Sequence, residues 1–310
     1  IYSTPSPFKL GDFMPVERVH KVLSQDNKKL LLSKLEDIGA RNIVEDLRRS
    51  LLEGLDSSLL NDKEFMLRYL LLTTVLDQQA ESESARRTVR SITQKYGYKF
   101  FMNPREYFDN IRDAIQLALG TYEPRARVLR MKKEGITLLR IGGFMLAVNS
   151  LSLRFGGLLN YFRQYRTPYE LLNRGILGEP LLSGLLYEKA ARLYVGWITH
   201  PQLFIRIYGE SVPRNTIPMV VNGHVAKVLA RTGFLDRVSV ESRDNMIVEA
   251  ERERGRIENE VKRVKPDGDL FSIDYGAFFI GIRYCHERNP NCAQCPLNTI
   301  CSRNTEFRAY

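Results

Sequence analysis

Apolar side chains return every three to four positions along most of this chain, the spacing of one face of an α-helix. The pattern holds over Val19–Leu32, Asn42–Leu55, Phe65–Leu76, Ser84–Tyr96, Tyr107–Leu119, Arg125–Leu139, Tyr169–Gly175, Leu185–Ile198 and Val221–Thr232. Alternation of apolar β-branched and polar residues, the mark of a half-buried strand, is scarce. Helix-ending residues stand between the runs, among them Gly97, Asn103-Pro104, Gly142-Gly143, Gly156-Gly157 and Gly233. The pattern predicts an all-α protein. The run Glu249–Lys265 mixes both charge signs densely and reads as an exposed helix laced with i,i+4 pairs.

Composition narrows the class. The 310 residues are 44% hydrophobic, ample for one large or two small cores. The longest apolar stretches, Leu70–Leu76 and Phe144–Val148, fall short of the ~18 residues of a spanning helix. No basic-apolar-small signal pattern opens the chain. An intracellular protein, in cytoplasm, nucleoid or nucleus and without a membrane, is expected. The net charge of +10 suits a polyanionic partner, chiefly nucleic acid, through counterion release.

All four cysteines sit near the C-terminus, spaced C-x6-C-x2-C-x5-C: Cys285, Cys292, Cys295 and Cys301. Two disulfides, a zinc site or an iron–sulfur cluster are the available chemistries. Disulfides suit secreted chains, and nothing marks this one as secreted. Structural zinc usually takes two C-x2-C knuckles, and only Cys292 and Cys295 form one. Six- and five-residue loops give the wider grip of a cubane, so the spacing favours a 4Fe-4S cluster over zinc. The run YCHERNPNCAQCPLNTIC follows an apolar stretch, Asp274–Tyr284, that delivers the first cysteine. It resembles the cluster loop of the helix-hairpin-helix DNA glycosylases, iron–sulfur branch (endonuclease III-like and adenine glycosylase-like). The resemblance is strong over Val221–Cys301 and covers about half of the chain.

That resemblance implies a six-helix barrel near 62–215, with a hairpin. It also implies a helical cluster domain built from 1–61 and 216–310. It implies a monomer that binds double-stranded DNA, flips out a damaged or mismatched base, and cleaves the C1′–N bond in base excision repair. The family pattern V-D-x-[HN]-V, followed by R-V-x-x-R, matches Val221-Asn222-Gly223-His224-Val225 and then Lys227–Arg231. Asn222 therefore stands at the position of the catalytic aspartate, with His224 and Lys227 towards the DNA. An amide offers no negative charge to a developing sugar cation. Either excision is lost and the protein is a silent DNA binder, or another acid serves, or the asparagine replaces a natural aspartate. Asn222 also suits the N-cap of the helix that follows.

The hairpin pattern L-P-G-[VI]-G-x-[KS]-T-A matches Leu182–Ala190 loosely. Gly184 keeps the first glycine, and its turn is expected to grip a phosphate. Glu188 takes the Schiff-base lysine position and is a candidate replacement acid. Lys189 lies one residue on and is expected to point elsewhere, so no lyase activity is expected. Leu76–Ser82 resembles L-x-x-Q-x-[TQ], which makes Gln79 the side chain that fills the vacated space, with Gln78 beside it. Two basic faces, Arg86/Arg87/Arg90/Lys95 and Arg125/Arg127/Arg130/Lys132/Lys133, are expected along phosphates. His286 and Arg288, in the first cysteine loop, join them. Tyr187, Tyr194 and Trp197 line a pocket or fill the core.

Overall fold

In a computed structural model of the chain, residues 16–18, 20–125, 130–203, 205–242 and 246–309 are described. Nine helices of ten or more residues are present among them, and the protein is mostly helical, as the periodicity predicts. The one strand pairing described joins β1 (Val16–Arg18) to β2 (Val238–Val240), antiparallel, with Val16 opposite Val240.

Helix α1 (Gln25–Leu47) starts at Ser24 and runs on into a π-turn, Arg48–Leu52. It merges two of the expected runs, and Val19 lies outside the described residues. Helix α2 (Lys63–Asp77) is capped by Asp62, whose carboxylate accepts the Phe65 N–H at 2.9 Å. Every residue from Phe65 to Leu76 is buried, so α2 is the central helix of the larger core. Each of its fully buried Leu, Phe and Val side chains stabilises the fold by about 1.5–3 kcal/mol. It shares that core with α3 (Ser82–Met102), α4 (Pro104–Thr121), α5 (Lys133–Phe155) and α6 (Glu188–Thr199), of which α4 packs against α3 and α5.

The second core gathers α7 (Gly223–Thr232), α8 (Ala250–Val264), α9 (Leu270–Arg283), the inner face of α1, and Leu297 and Phe307 of the C-terminal segment. Helices α1 and α9 cross backbone against backbone. A Cβ on Gly39 would lie 1.8 Å from the Ser272 carbonyl oxygen, and one on Gly276 would lie 1.9 Å from that of Leu35. No other residue fits either crossing point. Phe271 of α9 reaches across into the larger core and lies against Gly196 of α6.

Two expectations are corrected. Gly142-Gly143 does not end a helix but lies inside α5, because Gly143 faces Leu185 closely and a side chain there would collide with it. At 23 residues α5 is long and apolar enough to cross a bilayer by length and composition, and it leaves Leu139, Leu146 and Leu153 exposed. The charged helix α8 is not exposed all round: Arg254, Ile257, Glu258 and Val261 are buried, while pairs such as Arg263–Glu260 line its outer side.

Candidate functional site: an inter-core cleft and a cysteine cavity

Between the two cores lie two adjoining cavities of about 330 and 630 Å³. They share Asp77, Ser82, Arg125, Lys189 and Leu193, so they form one cleft. Asn222 and His224 border the smaller half, and Gln79 and Glu188 the larger.

The Asn222 wall is held by its backbone. Val221 has φ +47°, a left-handed conformation that is costly for a β-branched residue. Its N–H donates to Asp274 Oδ1 at 2.8 Å. Asp274 is buried, and burial pushes its carboxyl up to about 7 against the lowering pull of the Val221 and Val220 N–H groups. Asn222 then caps α7, its Oδ1 accepting the Val225 N–H at 3.0 Å. His224 stands edge-on to Phe278, with ring centroids 5.9 Å apart, and its Nδ1 is enclosed without a partner. Burial and then the Lys227 charge hold its imidazole below the ordinary histidine range.

The opposite wall comes from α2 and α6. Lys189, Leu193 and Trp197 recur every four residues on the cleft side of α6. Lys189 therefore points into the cleft, not away from it as the hairpin pattern suggested, because α6 starts at Glu188 and turns its 189/193/197 face inward. The residue is exposed overall, yet its amine is crowded by protein. That desolvation lowers its pKa; nearby Asp77 raises it, while Arg254 and Arg125 lower it further. Asp77, the last residue of α2, keeps Oδ1 enclosed and without a hydrogen-bond partner.

The two glutamines have separate roles. Half-buried Gln78 donates to Leu185 O at 2.7 Å and accepts the Tyr187 N–H at 2.8 Å, tying α2 to the segment before α6. Gln79 is exposed at the cleft, with a left-handed φ of +55° and its carbonyl accepting the Arg125 N–H at 2.9 Å. Gly184 has an ordinary φ of −70°, and its N–H donates to Pro180 O at 3.1 Å, so that amide is not free for a phosphate. The N–H groups of Leu185 and Leu186 are likewise taken by Leu182 O.

Other expected side chains are engaged within the fold. Glu188, 48% exposed, pairs with Arg192 at 2.9 Å and Arg254 at 3.3 Å. Lys227, expected to be available to a partner, is instead buried and ion-paired with Glu287. Arg90 pairs with Glu83 at 2.6 Å and Glu53 at 3.4 Å, which neutralises that end of the first basic face. Arg86 and Arg125 border the cleft, and Arg87, His286 and Arg288 are exposed. Lys95 lies over the Tyr96 ring. Arg130, Lys132 and Lys133 gather at the start of α5, and Arg127 lies outside the described residues. Tyr194 is core, its hydroxyl donating to Leu67 O at 2.9 Å, while Trp197 floors the smaller cavity and Tyr187 is exposed beside the larger. Sequence reading missed Asp77 and Asp274. Asp274 stood in the helix that delivers Cys285 with no sign of its partner Val221. Asp77 had one signal, an acid in the last turn of a helix, where the macrodipole disfavours it.

Cys285, Cys292, Cys295 and Cys301 are free thiols lining one cavity. No three histidine, cysteine or carboxylate groups among the described residues are clustered tightly enough to hold a single metal ion. The donor set still suits a polynuclear cluster: sulfur alone, around one cavity, with N–H groups directed at it. The Arg303 N–H reaches Cys301 Sγ at 3.3 Å, and Arg231 Nη1 reaches Cys285 Sγ at 3.5 Å. Buried Arg231 also donates to the carbonyls of His286, Glu287 and Phe307, which fastens the cysteine loop to α7.

No protein-family model and no curated protein matches the sequence. Among solved structures the chain is similar to a non-covalent endonuclease III–DNA complex, at 15% identity and a TM-score of 0.49, over 91% of this chain and 97% of that one.

Proposed function

We propose that the chain is a base-excision-repair protein of the helix-hairpin-helix DNA glycosylase kind. In this reading it takes one damaged or mismatched base of a DNA duplex into the cleft and hydrolyses its C1′–N bond. A six-helix barrel around α2 and a cluster-bearing half around α7 and α9 are the fold this reading assigns. The observation that carries it is the juxtaposition in one cleft of Asn222, in the Val221–Val225 motif, with Lys189 and Asp77, beside the exposed and strained Gln79. A left-handed non-glycine residue persists only where its surroundings over-determine it, and such residues gather at functional sites. An uncharged amide at Gln79 suits the space a flipped base leaves, since it pairs with the orphaned partner base. Arg86, Arg125 and Arg288 serve the phosphates, within a chain of net charge +10.

Cys285, Cys292, Cys295 and Cys301 would hold a 4Fe-4S cluster in this reading. Bound there, the cluster supplies folding free energy that ties the C-terminal segment to α7.

Duplex binding measured against salt, with single-turnover excision on a panel of damaged and mismatched duplexes, tests the function. The expected results are affinity that falls steeply with salt and release of free base from at least one duplex. Binding without any excision favours the second reading, a silent DNA-structure binder, which Asn222 as an uncharged cap supports. Absence of binding at low salt overturns both. The inward Lys189 bears on lyase chemistry: trapping of a protein–DNA adduct by borohydride, lost in K189A, would add β-elimination to base removal. Without trapping, the product is an intact abasic site.

A further inference from the structure

We propose that Asp77 is the working carboxylate of this cleft: from the end of α2 it supplies the negative charge that Asn222 withholds and takes the proton of the water that attacks C1′. The proposal rests on the base-removing reading of the cleft. Among the described residues, only Asp77 and Asp274 bring carboxylates to the half that Asn222 borders. Asp274 is occupied, being buried and already accepting the Val221 N–H. Glu188, in the wider half, is neutralised by Arg192 and Arg254. Asp77 is different: one oxygen is enclosed by protein and has no hydrogen-bond partner. Leaving a buried acceptor unpaired is unfavourable, and so is an acid at a helix C-terminus. Two local rules are broken at one residue, which is the pattern of a site kept for function. Lys189, Arg86 and Arg125 border the same cavity, so a carboxylate there is surrounded by cations, beside the exposed Gln79.

The step balances. The C1′–N bond breaks and its electron pair leaves on the base nitrogen. The water oxygen bonds to C1′, its proton passes to Asp77, and Asp77 returns that proton to the departing base. The carboxylate ends as it began, and no oxidant or reductant is required. While the sugar is cationic, the same charge stabilises it.

The test compares the native chain with D77N, N222D and D77N/N222D. Melting temperature, duplex affinity and single-turnover excision over the panel are measured for each. D77N is expected to slow excision at least ~100-fold, the scale of losing one charge-stabilising group. Its duplex affinity should not weaken, since an anion has left a DNA-binding cleft. In D77N/N222D the carboxylate has moved across the cleft, and excision should return to within ~10-fold of the N222D rate. If D77N fails to fold, D77S is judged by the same criteria. Excision by D77N at the native rate overturns the proposal. So does a silent native chain whose N222D variant excises, which would keep the reaction class while showing that Asp77 is not its carboxylate. If neither the native chain nor N222D excises anything, the base-removing reading itself falls and takes Asp77 with it.

Discussion

The two walls of the cleft are built on opposite plans. On the Asn222 wall the polar side chains that hold the chain in place are bound to backbone: Asn222 caps α7, Asp274 holds the Val221 N–H, and Arg231 fastens α7 to the cysteine loop. On the α2/α6 wall the charges are free: Asp77 carries an unpaired oxygen, and Lys189 stands open in the cleft. One wall supplies fixed geometry without charge, and the other supplies charge. The proposed reading, in which the cleft takes in a flipped nucleotide, calls for both, since preorganisation is what makes a charge effective. The network Glu188–Arg192–Glu258–Lys262 marks the border, where charges become structural again.

The largest expected effect breaks the fixed wall at its base. Cys295→Ala should cost several kcal/mol of stability, because ligation of a metal group is folding free energy. Native protein should be brown with about four irons per chain, and the variant nearly free of iron. Iron analysis and melting curves check this. Colourless native protein holding one zinc would replace the cluster in the comparison without moving the wall.

Asp274→Asn tests the same wall through pH. The folded carboxyl is raised to about 7, above its ordinary value of 3.8. The folded state therefore binds more protons than the unfolded one between those values, and its stability falls as pH rises through that window. Asparagine keeps an acceptor for Val221 and does not titrate there. The native melting temperature should drop relative to that of D274N between pH 5 and pH 8, by a few degrees. Parallel curves would show that Asp274 is not held protonated.

A smaller effect concerns the strain beside the free wall. Gln79→Gly removes a left-handed side-chain conformation and should raise stability by about 1 kcal/mol. It should also weaken the preference for duplexes that hold the target base, as measured by competition binding. Stabilisation without loss of preference would mean that Gln79 does not enter the duplex. The smallest effect lies at Glu188, whose partly exposed ion pairs contribute at most about 1 kcal/mol. E188Q should leave excision within a factor of two, and a large loss would move the border of the free wall.

The helical class, the cysteine set and the Val221–Val225 motif were legible in the amino-acid sequence because each is local. Periodicity needs only neighbours on one helix face, and a cap needs only the next turn, as Asn222 and Val225 illustrate. The two glutamines were legible as a pair but not in their separate roles, since Leu185 and Tyr187, more than a hundred positions away, occupy Gln78. Gly142-Gly143 read as a break because composition cannot say that a neighbouring Leu185 requires the space. Lys189 read as outward because a one-residue offset turns a helical side chain by more than a quarter of a turn, and only packing sets where the helix starts. Lys227 and Arg90 read as phosphate contacts because a sequence shows charge but not the distant partner that neutralises it. What the sequence by itself determined was the inventory: helices, a four-sulfur set, and an amide where an acid was expected. Tertiary structure alone decided which charges stay free, because burial and pairing join residues far apart in the chain, as Asp77, Lys189 and Asn222 meet in one cleft.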